Sequence, residues 1–66
     1  MTSDHKIYEQ GYHNGHYYSL RYFAHSNMYY FFTRSPEQFD QLSGDVVRFN
    51  SALEMFDAFA SWQSQH

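Results

Sequence analysis

The asparagine–glycine pair at positions 14 and 15 is the feature that most constrains how this chain folds. It stands between two runs rich in tyrosine and other β-prone residues. Asn-Gly is the preferred sequence of a two-residue type I′ turn, which joins antiparallel strands. We therefore predict a β-hairpin with strands at about 6–13 and 16–24.

This turn also sets the pairing of the two strands, in which side chains alternate between the two faces. His13 is expected opposite His16, and at the far end Ile7 opposite Tyr22. One face of the hairpin then gathers the residues of a core, namely Ile7, Tyr18, Leu20, Tyr22 and Ala24. The other face is expected to be a solvent-exposed surface rich in aromatic rings. Its residues are Tyr8, Gln10, Tyr12, Tyr17, Ser19, Arg21 and Phe23.

A third strand is predicted at about 28–33, after a tight turn over residues 25–27. Asn27 favours that turn because asparagine tolerates the left-handed conformation. Every position from 28 to 32 is apolar or aromatic, so the faces of this strand depend on whether the turn has two or three residues, and both registers remain open. A strand that is apolar on both sides is typically central or covered on both faces, which indicates that something packs on the outer face as well.

Two capping boxes predict two helices. The first, Ser35-Pro36-Glu37-Gln38, opens a short helix at about 36–42, which Gly44 ends. The second, Ser51-Ala52-Leu53-Glu54, opens an amphipathic helix at about 52–63. The β-prone run 46–49 between them is a candidate fourth strand.

The apolar stripe of the C-terminal helix is wide, with Met55 and Phe59 at its centre. Part of it is expected on the sheet. The remainder, around Trp62 and Met55, is expected to meet the short helix through Phe39 and Leu42, or else a partner.

Length and composition limit the architecture to one small domain. The chain has 66 residues and no cysteine, so neither a disulfide nor a thiolate zinc site supports the fold. Aromatic residues make up 23% of the chain, which lets a short sequence build a dense core. We predict a single α+β domain over residues 1–66: an antiparallel three- to four-stranded sheet with the C-terminal helix packed on one face and the short helix at about 36–42.

The formal net charge is −3, and the acidic residues concentrate in the second half of the chain. This balance argues against a mainly electrostatic grip on nucleic-acid phosphates and favours a basic partner surface. The sequence has no apolar run of about 20 residues and no signal-peptide pattern, so a cytoplasmic location is expected.

Catalysis and cofactor binding are not expected. His13 and His16 would face one another across the hairpin, but two ligands are not a metal site, and exposed turn histidines are the favoured interpretation. No serine, histidine and aspartate fall in a recognisable local arrangement. Glu54 and Asp57 lie three residues apart on the exposed strip of a helix, where a solvated surface is the favoured interpretation over acid–base work.

The residue types favour a binding protein whose partner is a larger protein or a protein–nucleic acid complex, with a homodimer as a further option. Tyrosine and arginine are enriched at such interfaces. The predicted contact residues are Tyr8, Tyr12, Tyr17 and Arg21 on the outer sheet face, followed by Asp40 and Asp45 in the acidic half. The alternatives are a single-stranded nucleic-acid binder that stacks bases on the same rings, and a histidine-based metal-binding protein.

In size, charge and composition the whole chain resembles the small, cysteine-free, acidic single-domain proteins of phages and mobile elements, such as anti-CRISPR proteins. That resemblance implies an inhibitor that occupies the surface of a host nucleic-acid-targeting defence complex in the host cytoplasm. It assigns no functional residue.

Overall fold

The computed structural model describes residues 5–66 and shows an α+β fold. Its elements are, in chain order, β1 (His5–His13), β2 (His16–Phe23), β3 (Met28–Arg34), α1 (Pro36–Gln41), β4 (Asp45–Phe49) and α2 (Ala52–Gln65). The strands of these described residues form one antiparallel sheet of four, in the order β1-β2-β3-β4. The predicted fold class is confirmed, with the candidate fourth strand present.

The first hairpin turns at Asn14 and Gly15, as predicted. Their φ angles are 50° and 84°, and a type I′ turn needs positive φ at both positions. The ladder beyond the turn pairs His13 with His16 and Tyr12 with Tyr17.

A β-bulge interrupts this ladder near the start of β1. The register shifts between Ile7 and Glu9, so β1 has one residue more than β2 in this stretch. Ile7 consequently lies opposite Arg21 and not, as predicted, opposite Tyr22. An extra residue reverses the alternation of faces, so Ile7 leaves the predicted core and is 41% exposed.

The same bulge moves Tyr8 away from its predicted face. Its ring centroid lies 6.4 Å from that of Tyr29 and 5.7 Å from that of Phe56, which belongs to α2. The prediction of Tyr8 on the outer face was therefore wrong, because Tyr8 packs on the side of the sheet that carries α2. We call that side the helix face and the opposite side the outer face.

The turn between β2 and β3 settles the register that the sequence leaves open. Residues 24–27 form it, with Asn27 at φ 55° and its N–H donated to the carbonyl of Ala24. Ala24, predicted in the core, is exposed in this turn. Because the ladder pairs Leu20 with Phe31, the odd positions of β3 lie on the helix face and Tyr30 and the other even positions on the outer face.

The core lies between the helix face and α2. Its buried apolar residues in the described part of the chain are Tyr18, Leu20, Phe31, Met55 and Phe59. Leu20 and Met55 are fully buried, and Trp62 packs at the margin with its ring 5.7 Å from that of Phe31. The predicted apolar stripe of the C-terminal helix is thus confirmed at its centre.

The predicted contact of α2 with Phe39 and Leu42 of α1 is wrong. Phe39 of α1 stacks at 6.3 Å on Tyr12, which faces outward, while Trp62 belongs to the core cluster on the helix face. The sheet therefore separates the two side chains. Leu42, the left-handed C-cap of α1, is exposed.

Both predicted N-caps form. Ser35 accepts a hydrogen bond from the Gln38 N–H, and the Gln38 side chain accepts one from the Ser35 N–H, which completes a capping box. At α2, the Ser51 side chain accepts from the Glu54 N–H. These bonds satisfy N–H groups that the first helical turn leaves unpaired.

Replacing Met55 by alanine should destabilise the fold by about 2–5 kcal/mol, because it removes a fully buried side chain from a small core. The measurement is the free energy of unfolding in urea. Leu53→Ala, on the same helix but 72% exposed, is the matched control and should change that free energy by less than about 0.5 kcal/mol. Equal losses in the two variants would contradict the described packing of α2.

A second core residue, Tyr18, makes the free energy of unfolding depend on pH in the alkaline range. The Tyr18 hydroxyl donates to a Glu9 carboxylate oxygen at 2.8 Å, and this bond, with burial and the negative charge of Glu9, raises the pKa of Tyr18 above its ordinary value of 10.0. The folded state therefore holds the phenolic proton more tightly than the unfolded state does. The stabilisation is complete below pH 10 and is lost as the pH rises through the raised pKa.

We expect the wild type to be more stable than Tyr18→Phe at about pH 8, and the difference to shrink by about pH 11. Urea unfolding of both proteins across this range measures it, and ionisation of the remaining tyrosines cancels in the comparison. A difference that stays constant or grows with pH would contradict the raised pKa.

Candidate functional site

The outer face of the sheet is built from alternate residues of the four strands. The ladders align one row straight across it: Ile7, Arg21, Tyr30 and Arg48. A neighbouring row contains Gln10, Ser19, Phe32 and Val46. In the described residues α2 packs on the opposite face, and α1 contacts only one end of this one, through Phe39.

An open groove of about 590 Å³ lies on this face along the two central strands. Its lining is mainly aromatic and apolar, with Val46 of β4 along one side. The lining residues are Tyr17, Arg21, Phe23, His25, Ser26, Tyr30, Phe32 and Val46. A groove of this size and character accommodates several apolar side chains of a ligand or partner.

The rings of the groove pair with one another edge to face. Phe23 and Tyr30 have centroids 4.9 Å apart and an interplanar angle of 85°, and Tyr17 and Phe32 have values of 6.0 Å and 63°. Within such a pair only one ring can lie parallel to the sheet. Each pair therefore presents at most one flat ring to a nucleobase, and the remainder of the groove offers ring edges and apolar walls.

Three arginines belong to the outer face. Arg21 donates from Nε to the Ser19 hydroxyl at 2.6 Å and from Nη1 to the His5 ring at 3.2 Å. Arg34 donates from Nε to the Ser43 carbonyl at 2.6 Å, and its guanidinium lies over aromatic rings. Arg48 is exposed on β4, directly opposite Tyr30.

Acidic side chains are absent from the outward-facing strand positions of residues 5–66. Glu9 bonds to Tyr18 on the helix face, and Asp45 pairs with Thr33 on that same face, where it accepts a hydrogen bond from the Gln38 side chain at 3.1 Å. The other acids of the described chain lie on the two helices. The outer face is thus locally positive although the chain as a whole is negative.

The structure brings part of the predicted contact set together. Tyr12, Tyr17 and Arg21 share the outer face, with the rings of Tyr12 and Tyr17 5.5 Å apart and Tyr12 69% exposed. Tyr8 does not belong to this group. Asp40 is exposed on α1 and Asp45 begins β4 on the helix face, so the two acids do not join the aromatic surface.

Sequence reasoning missed Tyr30, Phe32, Val46 and Arg48 as members of this surface. All four lie on β3 or β4, whose faces depend on the turn at residues 24–27. The left-handed Asn27 was the available signal, but it leaves the length of the turn undecided.

The histidines of the first turn pack at the other side of the sheet. The rings of His13 and His16 lie 5.6 and 5.9 Å from that of Trp62, and His13 Nε2 is 3.2 Å from the Gln63 carbonyl oxygen. Both are half-buried, whereas the favoured expectation was exposed turn histidines. Residues 5–66 contain no group of three or more histidine or acidic side chains placed to hold a metal ion.

Comparison of the chain with protein-family models, curated proteins and solved structures finds no match. Across residues 5–66, no helix has both the length and the apolar character needed to cross a membrane.

The Phe32 ring, which lines the groove, lies close to Gly44. A Cβ atom at this position would lie 2.5 Å from the Phe32 ring and 3.0 Å from the Thr33 carbonyl oxygen, so a side chain there must displace the ring. We expect Gly44→Ala to destabilise the protein by about 1–3 kcal/mol and to shift the Phe32 ring resonances. Urea unfolding and NMR measure the two effects.

Gly11→Ala is the matched control for this prediction. A Cβ at position 11 meets only the Tyr18 side chain, at an ordinary contact distance of 3.5 Å. The control should therefore leave the Phe32 resonances in place. Unshifted Phe32 resonances in Gly44→Ala would show that the ring does not pack against Gly44.

Proposed function

We propose that this chain is a non-catalytic protein-binding module that docks through the outer face of its sheet onto a larger protein or protein–nucleic acid complex. The observation that carries the proposal is the uncovered groove with its flanking arginines. Aromatic residues and arginine are the side chains most enriched in the energetic centres of protein interfaces. Tyr12, Tyr17 and Arg21 are the principal contact residues of the proposal.

Two observations favour a protein partner over single-stranded nucleic acid. The rings pair edge to face, so they form an apolar groove more than a stacking platform. The net charge of −3 also weakens long-range attraction to phosphates. The three arginines of the outer face instead favour a nucleic-acid ligand. The pull-down experiment therefore also measures captured nucleic acid.

The proposal extends to the identity of the partner. The resemblance to small phage and mobile-element proteins supports an inhibitor that occupies a host nucleic-acid-targeting defence complex in the cytoplasm. Docking by the outer face would leave the exposed carboxylates of α1 and α2 free to extend over an adjacent basic channel of that complex. Asp40 and the other helix acids, and Asp45 at the start of β4, would then contribute at the edge of the interface.

The test is a pull-down with the tagged protein from host lysate, with and without nuclease, and over a range of salt. The variant Tyr12→Ala/Tyr17→Ala should lose the captured partner, because it removes two ring anchors of the outer face, while its circular dichroism spectrum remains that of the folded protein. A partner that survives nuclease and moderate salt supports a protein interface.

Leu53→Ala is the matched control, since it removes an exposed apolar side chain from α2 and not from the outer face. It should capture the partner as the wild type does. Undiminished capture by the tyrosine variant would overturn the proposal. Recovery of nucleic acid alone, lost at moderate salt, would assign the same surface to single-stranded nucleic acid.

A further inference from the structure

The sheet carries apolar residues on both of its faces, as a sheet does when another layer covers each side. β3 places Tyr29 and Phe31 on the helix face and Tyr30 and Phe32 on the outer face. Central strands that are apolar on both faces are typical of sheets that another layer, a helix or a second sheet, covers on each side. In this chain one such layer is present, since α2 covers the helix face.

The dimensions of the outer groove match a helix. On the β2 side the lining of the groove extends from Tyr17 to Phe23, a distance of about 20 Å at about 3.4 Å per residue. An α-helix of about 13 residues has that length, and its diameter of about 10–12 Å spans two to three strands. α2 itself has 14 residues and covers the opposite face of the same strands.

The charged residues of the outer face indicate which side chains should lie beside the apolar stripe of such a helix. Arg21 and Arg48 stand on either side of Tyr30 in one row, two strand spacings or about 10 Å apart. Arg21 donates to Ser19 and His5, neither of which is a carboxylate. Acidic groups on either flank of an apolar stripe would therefore meet these two arginines while the stripe enters the groove.

We infer that the outer groove binds an amphipathic α-helix of the partner protein, whose apolar stripe is flanked by aspartate or glutamate. This inference rests on the proposed function, because it names the occupant of the same surface. The bound helix completes a three-layer arrangement in which the sheet lies between α2 and the helix of the partner. Charge complementarity excludes a basic helix, which would place lysine or arginine against Arg21 and Arg48.

Site-specific photo-cross-linking tests the identity of the occupant. Val46→p-benzoylphenylalanine places the photoreactive group on the groove wall, at a residue that is 57% exposed. After irradiation in host lysate, mass spectrometry of the adduct identifies the cross-linked segment of the partner. We expect an amphipathic segment rich in acidic residues, helical in the structure of the partner.

Substitutions that reverse or keep the charge at Arg48 test independently whether the partner helix has acidic residues beside its apolar stripe. Arg48 is exposed at the sheet edge, so its substitutions leave the core untouched. Arg48→Glu should weaken capture of the partner by about tenfold or more, whereas Arg48→Lys, which keeps the charge, should retain most of it. Equal capture by the two variants would overturn the inferred acidic flank.

The outcomes separate this inference from the proposal on which it rests. A Val46 adduct on a strand, a loop or a segment without acidic residues overturns the helix and leaves the outer face as a docking surface. An adduct of twice the chain mass identifies a second copy, and an adduct on nucleic acid assigns that ligand; either overturns the inference. Leu53→p-benzoylphenylalanine on α2 is the control, and equal cross-linking from both positions would overturn the docking surface itself.

Discussion

The contact between α2 and the two central strands supports everything else in this small domain. Met55 and Leu20 are the fully buried apolar side chains at its centre, and the rest of the core surrounds them. In a chain of this length a single such layer of buried residues must offset the entropy of ordering the whole backbone. With α2 committed to the helix face, the described chain has no second long helix for the outer face, and the rings there stay accessible.

Local signals predicted most of the fold correctly. The Asn14-Gly15 turn, the serine caps and the apolar spacing of α2 each depend on residues within a few positions of one another. Such signals act through backbone sterics and hydrogen bonds that are already specified in a short segment. They place an element on the chain with little knowledge of the remainder.

The errors arose where a single position determines on which face of the sheet many other residues lie. A single extra residue near Tyr8 exchanged the faces at the start of β1, and an undecided turn length left Tyr30 and Phe32 unassigned. Neither feature has a strong local signature. For the candidate site this meant that Tyr12, Tyr17 and Arg21 were placed correctly on the outer face, while the groove residues of β3 and β4 were missed. Net charge did not predict how charge is distributed, because the fold gathers arginines from three strands onto the outer face and places the acids of residues 5–66 elsewhere.

The bulge in β1 has a consequence for how this protein behaves at high concentration. β1 is an edge strand of nine residues, and a long, regular edge offers unpaired backbone groups to any other chain. By shifting the register between Ile7 and Glu9, the bulge breaks the even spacing of those groups and increases the local twist. The other edge, β4, has only five residues. Both edges therefore resist the continuous strand-to-strand pairing that leads to fibrils, and an aromatic-rich sheet can remain available for a specific partner.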